Sequence, residues 1–175
     1  MKLLKKILSA VGVLALAYST AFASVAINAA TFPNATFRSY VTTNFDSNAD
    51  GTLSDAEIGK ARVVDIQGRG IMNLSGIENL TALQMLLCDF SLANEEFNYT
   101  SFKTAYGLTC DIDDSYWLMM HIDNNGTDGL MTPMIGDITD ISTGVLKMPL
   151  YGGQTIESIS FRTKGTLNTE VHVYP

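Results

Sequence analysis

The chain is poor in the residues that build most catalytic and cross-linked sites. Of its 175 residues, 2 are Cys, 2 are His, 1 is Trp and 4 are Pro. Two cysteines are too few for a disulfide-built scaffold or a Cys-based zinc module. Two isolated histidines, His121 and His172, leave little for a His-based metal centre or a nucleophilic triad. Basic side chains are scarce as well, with 11 Lys and Arg against 18 Asp and Glu. Residues 1–23 hold three of those lysines and no acid, so without them the net charge falls from −7 to −10. A chain that acidic disfavours nucleic acid and anionic lipid as partners. No phosphate loop, nucleophile elbow or metal-protease helix is present in the sequence. What remains is 46% hydrophobic residues, enough for a substantial core in one mid-sized or two small domains.

The first segment reads as an address. Lys2, Lys5 and Lys6 precede an apolar run from Ile7 to Tyr18, and Ala21-Phe22-Ala23 supplies small residues where a signal peptidase reads them. A bilayer span needs about 20 apolar residues, more than this run provides. The pattern predicts a signal peptide over 1–23, cleavage before Ser24, and a secreted protein, extracellular or at the cell surface, with no membrane insertion after cleavage. Export permits a Cys88–Cys110 disulfide. Two separate buried thiols fit equally, because each cysteine sits inside an apolar, strand-like run.

Beyond the leader, Ser24 to Thr31 reads as a loose segment. A helix is predicted from Pro33 to Phe45, with Phe37, Tyr40, Val41 and Phe45 at helical spacing. Ser54 and Glu57 form a capping-box pattern that opens a short second helix, weakened by Gly59. Ala93 to Tyr99 is the best linker, after which helical periodicity disappears. The runs Tyr116–Ile122, Val145–Tyr151, Ile156–Arg162 and Val171–Tyr174 read as strands. Turn clusters at Asn124-Asn125-Gly126, Asp128-Gly129, Gly152-Gly153 and Lys164-Gly165 separate them. Such regularly spaced strands predict a small antiparallel β-sandwich over 95–175, with Trp117 in a central strand.

Residues 46–57 carry the strongest chemical pattern. Calcium takes about seven oxygen ligands, and a short loop must supply them while turning sharply round the ion. Asp46, Asn48 and Asp50 alternate so that their side chains converge, and Gly51 permits the turn. Thr52 offers its backbone carbonyl, Ser54 its hydroxyl or a bridging water, and Glu57 both carboxylate oxygens. The predicted ligand set for Ca2+ is therefore Asp46, Asn48, Asp50, Thr52, Ser54 and Glu57, with no catalytic residue. Leu53 points away from the ion, where a paired loop or the core can cover it. A dockerin is the runner-up, but it uses two such loops, usually closed by Asp. The only partial second copy, Asn124 to Gly129, has Ile135 in place of a closing acid.

A repeat follows. Val64 and Leu86 are 22 apart, as are Ile66 and Cys88, and Ile71, Leu74, Ile77, Leu80 and Leu83 recur about every three residues between them. That period is the leucine-rich-repeat pattern, of which barely more than one coil is present. Phe32-Pro33-Asn34-Ala35-Thr36-Phe37-Arg38-Ser39-Tyr40-Val41, the acidic loop, then Gly70-Ile71, Leu74-Ser75-Gly76-Ile77-Glu78-Asn79-Leu80-Thr81-Ala82-Leu83 and Leu86-Leu87-Cys88 together resemble the start of secreted bacterial leucine-rich-repeat surface proteins. The resemblance covers residues 32–90. It implies an EF-hand-like helix pair that caps the repeat, and a thiol inside the coil at Cys88. Here Asp89-Phe90-Ser91-Leu92 stands where further coils would begin. A lone coil cannot bury its own ends, which predicts a packing layer between the loop helices and the C-terminal strands.

The expectation is therefore an α+β chain. An EF-hand-like calcium loop with a single leucine-rich coil occupies 32–92, and a β-sandwich occupies 95–175. The expected function is that of a calcium-binding, non-enzymatic extracellular binding or adhesion protein of bacterial surface type, towards an extracellular protein or glycan ligand. A carbohydrate-binding accessory module is the alternative. A glycan hydrolase using the Asp111, Asp113 and Asp114 cluster stands third.

Overall fold

The computed structural model describes residues 24–90, 96–113, 119–124, 128–131, 145–147 and 154–175. Val25–Ala26 forms a short strand (β1), although the preceding reading made this stretch loose. Helix α1, Ala35–Phe45, starts when Asn34 Oδ1 accepts the Phe37 N–H at 2.9 Å, which leaves Pro33 outside the helix. Its buried face is Phe37 and Val41, with Tyr40 and Phe45 packed beside them. Strand β2, Thr52–Leu53, pairs antiparallel with β1. Helix α2, Asp55–Ile58, has the predicted capping box, with Ser54 and Glu57 bonded reciprocally. It is one turn long and ends at Gly59, so the described residues hold an eleven-residue helix and a single turn rather than a matched helix pair.

Strand β3 (Val63–Asp65) lies parallel to β4 (Met85–Asp89) in the register Val63↔Met85, Val64↔Leu86, Asp65↔Leu87. The 22-residue spacing read from the sequence is thus a pairing register. The connection between them buries Ile71, Leu74, Ile77, Leu80 and Leu83, the apolar positions of the repeat, and includes a 3-10 turn at Ile77–Asn79. Each deep aliphatic side chain contributes about 1.5–3 kcal/mol, which gives this connection its hold on the sheet. Tyr40 covers the free edge of β3, its hydroxyl accepting the Asp65 N–H at 2.9 Å.

Strand β5 (Glu96–Asn98) falls within the expected linker of 93–99, and helix α3 (Tyr99–Tyr106) follows where helical periodicity was expected to disappear. The correction has a clear local cause. Asn98 caps the helix through Ser101 N–H, Gly107 ends it at φ 65°, and Tyr99, Phe102 and Tyr106 recur at i, i+3 and i+7 on the buried face. Strands β6 (Asp111–Ile112), β7 (Met119–Asn124), β8 (Asp128–Met131), β9 (Val145–Lys147), β10 (Gln154–Lys164) and β11 (Glu170–Tyr174) follow. Asp128-Gly129, read as a turn, opens β8, and β7 and β8, on either side of 125–127, pair antiparallel. Trp117, Asp114 and the Gly152-Gly153 turn lie outside the described residues.

Six strands line up as β3-β4-β11-β10-β7-β8, with β6 pairing the far end of β10. Strands from residues 96–175 pair antiparallel with one another, but β11 lies parallel to β4, with Val173 opposite Cys88. The sheet is therefore mixed, and it continues across the expected linker. A strand from the far end of the chain covers the edge of β4 opposite β3. Beside the main sheet, β5 and β9 form a two-stranded ladder. The aromatic cluster of Phe90, Phe97, Tyr99, Phe102, Tyr106 and Phe161, with neighbouring ring centroids 4.9–6.5 Å apart, joins α3 and β5 to β10. The fold is α+β, built of three helices and this mixed sheet among the described residues.

Candidate calcium site

The loop of residues 46–57 begins at the C-terminal end of α1 and closes in the first turn of α2. Its curvature comes from two left-handed residues, Ala49 at φ 58° and Gly51 at φ 80°. Ala49 is the one non-glycine residue with positive φ among the described residues, at a cost of about 1–2 kcal/mol. Such a conformation persists because the surrounding bonds determine it. Asp46 accepts the N–H of Asp50 at 3.2 Å on Oδ1 and of Gly51 at 3.0 Å on Oδ2. Asn48 Oδ1 accepts the Asp50 N–H, and its amide donates to Asp50 Oδ2 at 2.8 Å. Asp50 Oδ1 accepts both the N–H and the hydroxyl of Thr52, at 2.8 and 2.7 Å.

Glu57 is buried and ties the two ends of the loop together. Its Oε1 accepts from the N–H and hydroxyl of Ser47, and Oε2 from the N–H and hydroxyl of Ser54, at 2.7–2.9 Å. The Ser54 backbone and hydroxyl bonds, then the Ser47 hydroxyl, pull its carboxyl down to about 2. The Thr52 hydroxyl and N–H, with Asn48, lower Asp50 in the same way. Both groups are held ionised far below neutral pH.

The donor set suits a hard cation: carboxylates at Asp46, Asp50 and Glu57, the Asn48 amide oxygen, the Thr52 carbonyl and the Ser54 hydroxyl, with no nitrogen or sulfur ligand. Glu57 accepts four bonds, two of them from hydroxyls that can rotate away. Holding an ion through Glu57 would therefore require it to give up some of these bonds, the two from hydroxyls being the more easily exchanged. Among the described residues, no three His, Cys, Asp or Glu side chains gather closely enough to hold a metal by themselves, so amide, carbonyl and hydroxyl oxygens would complete any shell. Sequence reading missed Ser47, whose two bonds to Glu57 lie outside the ligand pattern. It also missed β1, although Val25 and Ile27 alternate with exposed Ala26 and Asn28.

The other candidates are engaged elsewhere. Asp111 is exposed and pairs with Lys103 at 2.9 Å, the Asp113 N–H donates to the Arg162 carbonyl, and His172 lies 2.7 Å from Glu170. His121 is exposed on β7. Cys88 and Cys110 are both buried free thiols. Burial, then the neighbouring Asp89 charge, pushes Cys88 up to about 12, and burial also raises Cys110. A second feature is an open cleft of about 390 Å3 between α1 and the turn after β3, lined by Thr36, Ser39, Tyr40, Thr43, Asn44, Arg69 and Ile71. The Arg69 guanidinium lies over the Tyr40 ring at 5.2 Å, and its Nε donates to the Asp65 carbonyl. No helix among the described residues is long and apolar enough to cross a membrane. No protein-family model, curated protein or solved structure matches the chain.

Proposed function

We propose that the chain is a secreted, non-enzymatic calcium-binding protein that takes part in extracellular binding or adhesion, with one ion held by residues 46–57. The observation that carries this reading is the folded course of the loop. Gly51 adopts φ 80° with its N–H on Asp46, and Glu57 closes the far end against Ser47 and Ser54. The oxygen donors of this twelve-residue loop are Asp46, Asn48, Asp50, the Thr52 carbonyl, Ser54 and Glu57. On this reading α1 and α2 are a shortened EF-hand-like pair, and β3, its connection and β4 are a single leucine-rich coil. The 22-residue parallel register and the buried leucine positions support the coil. The antiparallel strands of 96–175, with β5 and β9 as a second layer, are read as the remnant of a sandwich. Calcium that binds only the native state stabilises it by mass action, about 2.7 kcal/mol at a hundredfold excess over the dissociation constant. Extracellular sites of this kind bind at about 10⁻⁴–10⁻³ M. Scanning calorimetry without calcium and with calcium at a hundredfold excess over that dissociation constant tests the reading: the melting temperature rises in the wild type and not in Glu57→Gln. An unchanged wild-type melting temperature refutes it.

The cleft beside α1 favours a glycan over a protein as the extracellular ligand, since hydroxyl, amide and guanidinium groups suit sugar hydroxyls. The Tyr40 ring is already occupied, with Phe37 stacked on it at 6.4 Å and Arg69 over it, so it offers no bare stacking platform. A glycan array with wild type and Arg69→Ala separates this reading from simple adhesion through protein contacts.

A further inference from the structure

The central residues of the loop form a short antiparallel ladder with the segment that follows residue 23. Val25 pairs with Leu53 and Ala26 with Thr52, and one step further the Ile27 N–H donates to the Gly51 carbonyl at 2.9 Å. Leu53, which sequence reading expected a paired loop or the core to cover, is fully buried, and Val25 and Ile27 pack against the core beside it.

The register has a chemical consequence. In an antiparallel ladder, residues of a hydrogen-bonded pair direct N–H and C=O at each other, and the residues between them turn both groups away. Ile27–Gly51 is such a pair by its bond, which makes Val25–Leu53 the next one and leaves Ala26–Thr52 between them. Thr52 therefore turns its backbone away from β1. Its N–H does so visibly, donating to Asp50 Oδ1 inside the loop at 2.8 Å. Its carbonyl faces the same side, where the loop's backbone ligand belongs. A slip of one residue would exchange the roles, turning Thr52 to β1 and the carbonyls of Gly51 and Leu53 to the ion side.

We infer that Val25–Ile27 is a positioning strand for the ion loop: its register ties Gly51 and Leu53 to β1 and reserves the Thr52 carbonyl for calcium. This rests on the calcium reading of residues 46–57. The single loop has its ladder partner in cis, so a second loop is not required to order it. The affinity of the site then depends on the docking of a segment that precedes the loop and is separated from it by the whole of α1.

Two proline variants isolate the effect. Ile27→Pro removes the N–H that bonds Gly51, whereas Ala26→Pro removes an N–H that points away from the loop at an exposed position. Calcium is titrated by calorimetry into the wild-type chain starting at Ser24 and into both variants. In parallel, the 13C shift of the Thr52 carbonyl is followed by NMR. Ile27→Pro should weaken calcium binding about tenfold and diminish the calcium-induced Thr52 shift, with Ala26→Pro within about twofold of wild type. If Ile27→Pro does not fold, Val25→Pro removes the other N–H facing the loop and carries the same expectation. Affinity within twofold of wild type in the folded variant, even with a lowered apo melting temperature, overturns the inference. No calcium binding by the wild type removes the calcium reading itself, which is a distinct outcome.

Discussion

Gly76→Ala is the sharpest test of how the N-terminal segment is held. Gly76 sits at φ 99°, just before the 3-10 turn, and a β-carbon there would lie 2.2 Å from the Thr31 carbonyl oxygen and 2.7 Å from Phe32 Cδ1. Neither neighbour can yield easily. Phe32 is fully buried with its ring against Phe37, its N–H donates to the Asn28 carbonyl at 2.8 Å, and its carbonyl accepts from Arg38 at 2.6 Å. Two costs therefore combine. An alanine at positive φ costs about 1–2 kcal/mol, and overpacking against a fixed wall about 1–3 kcal/mol, for roughly 2–5 kcal/mol together. Gly68 and Gly70 supply the control. They adopt φ 64° and 63° with nothing within 4 Å of an added β-carbon, so alanine there meets the backbone cost alone, about 1–2 kcal/mol. Urea unfolding of the three variants at equal m-value, followed by circular dichroism, reads the difference directly. At this chain length each kcal/mol moves the melting temperature by about 2–4 °C. Gly76→Ala no less stable than Gly68→Ala would refute the close approach of residues 31–32 to the 3-10 turn. Because residues 28–32 lie between β1 and α1, the same variant should also loosen β1.

Three further outcomes follow from particular contacts. Phe102→Ala opens the centre of the aromatic cluster, fully buried among Phe90, Phe97, Tyr99, Tyr106 and Phe161, and should cost about 3–5 kcal/mol by urea unfolding. Glu57 is ionised down to about pH 2 in the fold but only to its ordinary 4.5 when unfolded. Its contribution is therefore complete above pH 4.5 and is lost as pH falls towards 2. Melting temperatures between pH 6 and 2 should thus fall more steeply for wild type than for Glu57→Gln, and parallel curves would contradict the four accepted bonds. Cys88 and Cys110 should be silent to a thiol reagent in native protein and both should react in denaturant, while one fast native thiol would contradict their burial.

Local chemistry was legible wherever the cause lay within a few residues. The capping box of Ser54 and Glu57 and the glycine turn at position 51 were readable, because caps and turns are set by side chains adjacent in sequence. The helix to Phe45 was readable for the same reason. So was the 22-residue spacing of Val64 and Leu86, since a repeat period becomes a register when one face must be buried. Helix α3 had the same kind of signal, an Asn98 cap and an aromatic stripe, but it is only eight residues long and lies just past the polar stretch 93–99, where turn clusters and alternating runs point to strands.

Partner choice was not legible. A short strand such as Val25–Ala26 has no edge preference of its own, and its pairing with Thr52–Leu53 arises because Leu53 and Ile27 can be buried together. Likewise nothing near Glu170–Tyr174 specifies a parallel neighbour more than 80 residues earlier. β11 lies beside β4 because that edge of β4 is otherwise open and the alternating Val171 and Val173 can fill the core beneath it. The sequence alone determined the acidic loop, its caps and the apolar period of the repeat, all local in origin. Folding decided which distant strand covers each exposed edge, because that choice depends on burial shared by residues that meet only in the assembled sheet.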